Sequence, residues 1–289
     1  MIKYVVISPV KDEEKFIEKT IQSMIRQTVL PLEWIIVNDG SRDYTKSIIE
    51  KYLAEYPWIK KIDLPDKGFR AGEGPAEAFN EGRRCITADF DFIINLDGDV
   101  SFEKDYFERL FEKFREKPTL GIASGKSYYL KNGRLILHRS ADYSTMGASK
   151  VYRQQCFQDI GGALEQCICW DIIDDIKAQM KGWHTRSFSN IKFIHHKRIG
   201  FKQGNIVKTQ MKAGQVLYTF GYHPLFLIGK GLYRIFEKPC VIGSLAMLYG
   251  YLLSWAKHEK QFEDKELIKF IRAQQIERMK LKWFYKAGE

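Results

Sequence analysis

Cysteine is scarce and unorganised in this chain: Cys85, Cys156, Cys167, Cys169 and Cys240 are the only five in 289 residues. The number is odd and the spacing matches neither a zinc site nor a redox pair, so a disulfide framework is excluded and reduced, mostly buried thiols are expected. No cleavable leader is legible either. Residues 1–8 form a short strand-like run without a following small-residue cleavage site, which leads us to expect a cytoplasmic protein. Long apolar runs are almost absent. The one uncharged stretch, Pro239 to Ala256, is eighteen residues long. It sits near the lower limit of about 17–25 residues for a membrane span and contains Pro239, Gly243, Ser244 and Gly250. Acidic residues are the minority charge, giving a net charge of +10, which favours an anionic partner: nucleotide phosphates, nucleic acid or an acidic membrane surface. The basic residues are scattered among apolar ones and no nucleic-acid-binding motif is present, so no nucleic-acid partner is expected.

What is present is a real core and a clear alternation. Hydrophobic residues make up 45% of the chain and aromatics 14%, which excludes disorder. Strand-like runs at Tyr4–Ser8, Trp34–Val37, Ile59–Leu64 and Phe90–Leu96 alternate with helical periodicities over 13–26, 43–56 and 75–85. This predicts parallel strands joined by right-handed crossovers. Beyond Asp99 the alternation loosens. Helices are expected at 106–117 and 170–181, the latter stopped by Gly182, and strands at 120–129 and 191–194. Asn132 and Gly133 form a hairpin turn before Leu135. Residues 197–238 carry eight Lys or Arg and one acid, and from Lys257 a charged amphipathic helix follows.

Chemistry concentrates at the strand ends, where an open α/β sheet forms its ligand crevice. The run Phe92–Leu96 ends in Asp97, Gly98 and Asp99, two hard oxygen ligands one residue apart, suited to Mg²⁺ or Mn²⁺ with room left for substrate phosphates. A solvated turn is the competing reading. Asp39, after the second strand, offers an acceptor for a base N–H or ribose hydroxyl, or an Asx turn to the next helix. Arg70 lies in a glycine-rich loop and can pair with a diphosphate, or stand solvated. Pro9, Asp12 and Glu13 follow the first strand, with Asp12 a helix cap or a ligand. His195 and His196 end a short strand. Alternation directs them to opposite sides, so only one can join the acids; Lys197 and Arg198 can counter phosphate charge.

Three segments in this order, Ser8–Glu14, Val37–Asp43 and Leu96–Asp99, resemble family 2 glycosyltransferases of the GT-A fold over about residues 2–200. The family pattern is Pro-x-x-Asn-Glu-Glu, Val-Asp-Asp-Gly-Ser-x-Asp and Asp-x-Asp; here Lys11 and Asp12 replace the commoner Tyr-Asn, and Asn38 replaces Asp. The resemblance implies a Rossmann-like α/β domain with a mostly parallel sheet. It divides into a nucleotide half (1–100) and an acceptor half (101–200), with a C-terminal helical extension (201–289). It further implies a divalent cofactor, Mn²⁺ or Mg²⁺, and inverting sugar transfer from a UDP- or GDP-sugar to a glycan or lipid-linked hydroxyl. Pro9, Glu13, Asp39, Arg70, Asp97 and Gly98 would line the donor, and Asp97, Asp99 and His195 or His196 would bind metal. By the spacing to Gly182 and Trp183, Asp171 matches the catalytic base, with Trp170, Asp174 and Asp175 on the acceptor side. The basic, aromatic C-terminal third is expected to pack as a core or oligomer helix pair, or to lie on the inner face of a membrane; a similar region occurs in membrane-associated members. A nucleotidyltransferase of related fold is the rival, but 8–14 lacks its glycine-rich signature. A non-catalytic basic binding protein is the other alternative.

Overall fold

A computed structural model of the chain describes residues 2–70, 72–138, 140–164, 167, 169–197, 206–233 and 240–286. Two compact units divide it, Met1–Arg198 and Ile199–Glu289.

In the first unit, strands β1 (Tyr4–Val10), β2 (Glu33–Asp39), β3 (Ile59–Leu64) and β4 (Phe92–Leu96) alternate with helices α1 (Ile17–Ile25), α2 (Thr45–Leu53) and α3 (Glu73–Arg84). β1 pairs in parallel with β2 and β4, and β2 with β3. β1, β2 and β4 are buried on both faces, which is why they read as near-continuous apolar runs, whereas the edge strand β3 exposes Lys60 and Asp63. Tyr4, Val6, Trp34, Ile36 and Ile94 face one core with Ile17, Ile21 and Met24 of α1. Their neighbours Val5, Ile7, Ile35, Val37 and Ile93 face the other, with Ala76, Ala78 and Phe79 of α3. The two-residue period of a strand produces this sorting.

The second half of the unit departs from the expected parallel sheet. It contains β5 (Val100–Phe102), α4 (Tyr106–Glu116), β6 (Leu120–Lys131), β7 (Arg134–Leu137), β8 (Ser149–Arg153), α5 (Gln154–Asp159), α6 (Trp170–Met180) and β9 (His184–His195). The sheet runs β3-β2-β1-β4-β8-β6-β9-β5, with β7 paired to β6. β8 is antiparallel to β4 and β6, and β5 to β9, whereas β9 is parallel to β6. The sheet is therefore mixed: parallel where helical crossovers join its strands, antiparallel where the chain doubles back after β4. Tyr106, Phe107, Leu110, Phe111 and Phe114 bury one face of α4 against the same core as α1, each large side chain contributing roughly 1.5–3 kcal/mol.

The second unit holds α7 (Ile206–Thr219), α8 (Pro224–Tyr233), α9 (Cys240–Ala256) and α10 (Lys265–Lys286). α7 and α9 touch backbone to backbone: a Cβ on Gly214 would stand 1.9 Å from Met247 O, and one on Gly250 2.0 Å from Met211 O. Tyr218, Leu227, Met247 and Tyr251 form the buried cluster of this unit. α9 also exposes Ile242, Leu245, Tyr249, Leu252 and Trp255, each more than half accessible. No helix among the described residues is long and apolar enough to cross a membrane. Arg198, Arg234, Lys238 and Pro239 lie outside the described residues, as does the side chain of Lys230.

Candidate active site

β4 delivers the two acids. Its last residues pair with β8, and the Asp97 N–H continues the ladder by donating to Ala148 O at 2.9 Å. The chain then turns through Gly98, where a side chain has no room: a Cβ would come 2.7 Å from Val10 Cγ1 and 3.3 Å from Glu13 Cγ. The glycine lets the corner press against the end of β1. β5 follows at once, and its Val100 pairs with His195 of β9. That register brings His195 to the corner. Its Nε2 lies 3.0 Å from Asp99 Oδ1, and its Nδ1 is buried without a hydrogen-bond partner. Ligand atoms of Asp97, Asp99 and His195 all lie within 4.8 Å of one another.

The corner gathers buried titratable groups whose proton affinities are shifted upward. Burial and the Asp99 charge push Asp97 up to about 6. Burial, then Asp99, push Glu13 up to about 7 against the pull of Lys197. For His195, burial resists protonation, but the Asp99 hydrogen bond and the charges of Asp99, Asp97 and Glu13 prevail and raise its pKa. Burial is the larger cause at the two acids, and the neighbouring carboxylates add to it; at His195 the carboxylates alone drive the rise. Two carboxylates and an imidazole form a donor set that fits Mn²⁺ or Mg²⁺. Glu13 borders the set, with Oε2 buried and unpartnered and Oε1 accepting from Lys197 Nζ.

His196 is turned away. Its N–H donates to Asp99 O at 2.8 Å, its Nε2 lies 2.9 Å from Ser101 Oγ, and its ring stacks on Phe16 at 5.7 Å. The strand pairing thus separates the two histidines, as alternation requires.

Asp171 stands in the first turn of α6. Burial raises its pKa while Lys150 opposes and Asp175 adds to the rise, and Asp171's charge contributes in turn to the rise at Asp97. A wall of backbone stands beside it: a Cβ on Gly147 would come 3.1 Å from both Asp171 Cβ and Oδ2. Trp170, Asp174 and Asp175 are buried. Tyr152 OH donates to Asp174 Oδ2 at 2.6 Å. Asp175 accepts from Thr145 N and Oγ1 at 2.7 and 2.6 Å and lies 3.2 Å from Lys150 Nζ. The two acids thus face inward, engaged in fixing α6.

At the end of β2, Asp39 is buried, with Oδ1 3.5 Å from Arg70 Nη2. Burial raises its pKa and Lys11 and Arg70 oppose. Arg70 also pairs with Glu77. Lys11 donates to the Asp39 carbonyl oxygen and to Asp66 Oδ1, and Arg42 meets Asp66 as well. Pro9 is half-buried in β1, paired with Val37. Asp12 does not cap α1, which begins at Ile17; it adopts φ 54° and its Oδ1 accepts from Arg42 N at 2.8 Å.

The Glycosyl transferase family 2 model matches residues 5–188, which contain β1 to α6 and every acid of the site. The chain belongs to glycosyl transferase family 2. Among curated family relatives, poly-β-1,6-N-acetyl-D-glucosamine synthase of Staphylococcus aureus (strain COL) is 31% identical over 195 residues, 61% of this chain and 45% of the synthase. Chondroitin synthase of Pasteurella multocida (strain Pm70) is 30% identical over 105 residues, 36% of this chain and 10% of that protein. The chain therefore spans less than half the length of these relatives. The fold is GT-A. TarS 1–349 of S. aureus, solved with UDP-GlcNAc, has a TM-score of 0.56 at 20% identity, covering 75% of this chain and 67% of that one. Mannosyltransferase PcManGT of Pyrobaculum calidifontis, solved with GDP-Man and Mn²⁺, gives 0.57 at 15% identity, covering 92% and 78%.

Within this family 2 domain, the sequence reading overlooked Lys150, Asn95, Gly147 and the Lys11–Asp66 pair. Asn95 Nδ2 donates to Gly147 O at 2.7 Å, tying the wall beside Asp171 to the strand that ends at Asp97. No local pattern marks Lys150: it becomes notable only once β8 is seen to be a buried strand.

Proposed function

We propose that this protein is an inverting glycosyltransferase that moves a sugar from a nucleoside-diphosphate donor to an acceptor hydroxyl. The observation that carries the reading is the convergence of Asp97, Asp99 and His195 within 4.8 Å, with the Asp171 carboxylate in electrostatic reach of Asp97. Asp39 and Arg70 receive the nucleoside, with Pro9, Gly98 and Glu13 lining the corner, and Lys197 exchanges Glu13 for a phosphate oxygen. Asp97, Asp99 and His195 hold a divalent ion, Mn²⁺ or Mg²⁺, which when bound supplies positive charge against the diphosphate. Asp171 takes the proton of the acceptor hydroxyl. The acceptor oxygen bonds to the anomeric carbon from the face opposite the leaving group, and the departing C–O electron pair goes to the nucleoside diphosphate. One carboxylate base suffices because no covalent intermediate forms. The elevated proton affinity of Asp171 suits a base.

Solved neighbours holding UDP-GlcNAc and GDP-Man with Mn²⁺ support a UDP- or GDP-sugar donor. The names of the curated relatives support a glycan acceptor. The apolar face of α9 and the basic 197–238 segment support a lipid-linked acceptor met at an anionic membrane surface.

Nucleoside-diphosphate release from UDP-GlcNAc and GDP-mannose, with and without Mn²⁺ or Mg²⁺, tests the reaction. Asp171→Asn is expected to lower turnover by about 10²–10⁴-fold while donor binding, read by calorimetry, stays within twofold of wild type. Asp99→Ala is expected to abolish metal-dependent donor binding. Turnover surviving in Asp171→Asn would remove the base from the mechanism.

A further inference from the structure

Lys150 is fully buried, at 0% exposure, near the start of β8. An ammonium in the core is costly unless it is paired and hydrogen-bonded. Here it is held on three sides. Nζ donates to the main-chain oxygen of Asp171, stands 3.2 Å from Asp175 Oδ1, and lies over the rings of Tyr152 and Trp170 at 5.6 and 5.8 Å. Each of these contacts fixes the start of α6 or the strand beneath it. The neighbouring segment closes the frame: Thr145 binds Asp175 through both its N–H and its hydroxyl, and Gly147 lies against the Asp171 side chain. Holding α6 to the sheet alone requires no charge, since apolar packing of similar volume does so as well or better. A cation under the first turn has an additional effect, because it acts on the carboxylate that the turn presents.

We propose that Lys150 is a positioning residue for sugar transfer: it anchors the Asp171 main chain and supplies the buried positive charge that keeps the Asp171 side chain an anion ready to accept a proton. This rests on the reading of Asp171 as the base. Burial is the largest influence on Asp171 and raises its pKa; Lys150 from β8 opposes it, Asp175 of α6 adds to it, and the main-chain N–H groups of Ile172 and Asp171 oppose it. Asp174 on α6, Tyr152 from β8, Cys169 ahead of the helix and Asp97 at the end of β4 all lie within reach of its charge.

The test uses the full chain and Lys150→Gln, which keeps a donor for the Asp171 oxygen and loses the charge. Lys150→Gln/Asp175→Asn accompanies it, so that no unpaired carboxylate threatens folding. A ¹³C-carboxyl titration follows Asp171, its signal assigned by its loss in Asp171→Asn; this needs no donor. The Asp171 midpoint is expected to rise by about one unit in Lys150→Gln. With the donor that wild type turns over, kcat is expected to fall about tenfold at mildly acidic pH and to recover toward alkaline pH, KM changing less than twofold. A lysine that merely holds the fold would lower the melting temperature without moving the midpoint or the pH profile. An unmoved midpoint, or a rate loss equal at every pH, overturns the proposal. Should Asp171→Asn keep its turnover, the base assignment falls and the proposal with it. Should Asp171→Asn abolish turnover while neither Lys150 variant moves midpoint or profile, the role of Lys150 alone is refuted.

Discussion

Single side chains in this domain carry opposing demands of charge and burial, and Asp174 shows the conflict in isolation. It is 1% exposed and pushed up to about 7 by burial, with Lys150 and the Tyr152 hydroxyl opposing and Asp175 and Asp171 adding to the rise. A carboxyl whose folded pKa exceeds its unfolded value binds more protons folded than unfolded, so its contribution to stability is lost as pH rises through that interval. Between about pH 4 and 7, wild type is therefore expected to lose stability on account of this group. Asp174→Asn keeps an acceptor for Tyr152 and removes the titration. Thermal midpoints measured across this range should fall less steeply for Asp174→Asn than for wild type, and equal slopes would contradict the burial argument. Gly98 makes a steric prediction at the same scale. Gly98→Ala puts a methyl 2.7 Å from Val10 Cγ1, so the corner must shift. A loss of about 1–3 kcal/mol in urea unfolding is expected, with weaker Mn²⁺ binding by calorimetry. Asp97 and Asp99 can be singled out in the sequence because carboxylates ending a buried strand are placed by local pattern, whereas Asp171 is singled out only by its resemblance to the family's acidic motif. The choice between His195 and His196 could not. Alternation says only that the two diverge; the pairing of Val100 with His195, a long-range register, decides which one turns toward the acids.

Elements were legible in proportion to how local their causes are. β3 at Ile59–Leu64, the helices α4 and α6 and the Asn132–Gly133 turn lie where periodicity and turn chemistry place them. β5 and β8 escaped. β5 is three residues long and has no pattern of its own, and β8 has only two apolar residues, Val151 and Tyr152, beside a lysine whose partner lies on α6. For the same reason most of the antiparallel part of the sheet is illegible in local pattern: its pairs are made by β5 and β8, and only the β6–β7 hairpin declares itself, while β9 runs for twelve residues where periodicity marks 191–194. The α7–α9 pair gives a prediction of element scale. Gly250 lets two helix backbones meet, and a Cβ there would stand 2.0 Å from Met211 O, a main-chain atom that cannot swing aside. Gly250→Ala is expected to cost about 1–3 kcal/mol in chemical denaturation. Leu245→Ala on the exposed face of the same helix should change stability by less than about 0.5 kcal/mol. Equal costs would mean that the close approach contributes nothing.

Across the whole molecule, charge and apolar exposure point to one surface experiment. The chain carries +10, and α9 turns Ile242, Leu245, Leu252 and Trp255 outward. Flotation with phosphatidylserine-containing vesicles should recover the protein at low salt. Recovery should fall as ionic strength rises and fall further in Leu245→Glu/Leu252→Glu. Failure to float, with dimerisation in analytical ultracentrifugation that the same substitutions abolish, would assign the face to a second copy instead. At this scale the sequence is informative about the family and silent about the site's closure. The three motifs announce themselves along the first hundred residues, yet the corner is completed only when His195 reaches Asp99, 96 positions earlier in the chain. That separation has a consequence for biogenesis. A nascent chain that has emerged through Asp99 displays the acids without their imidazole, and it gains the third donor only when β9 has left the ribosome and docked against β5. A divalent ion held by Asp97, Asp99 and His195, as proposed, would therefore bind only once the domain is assembled, and would stabilise finished molecules in preference to unfinished ones.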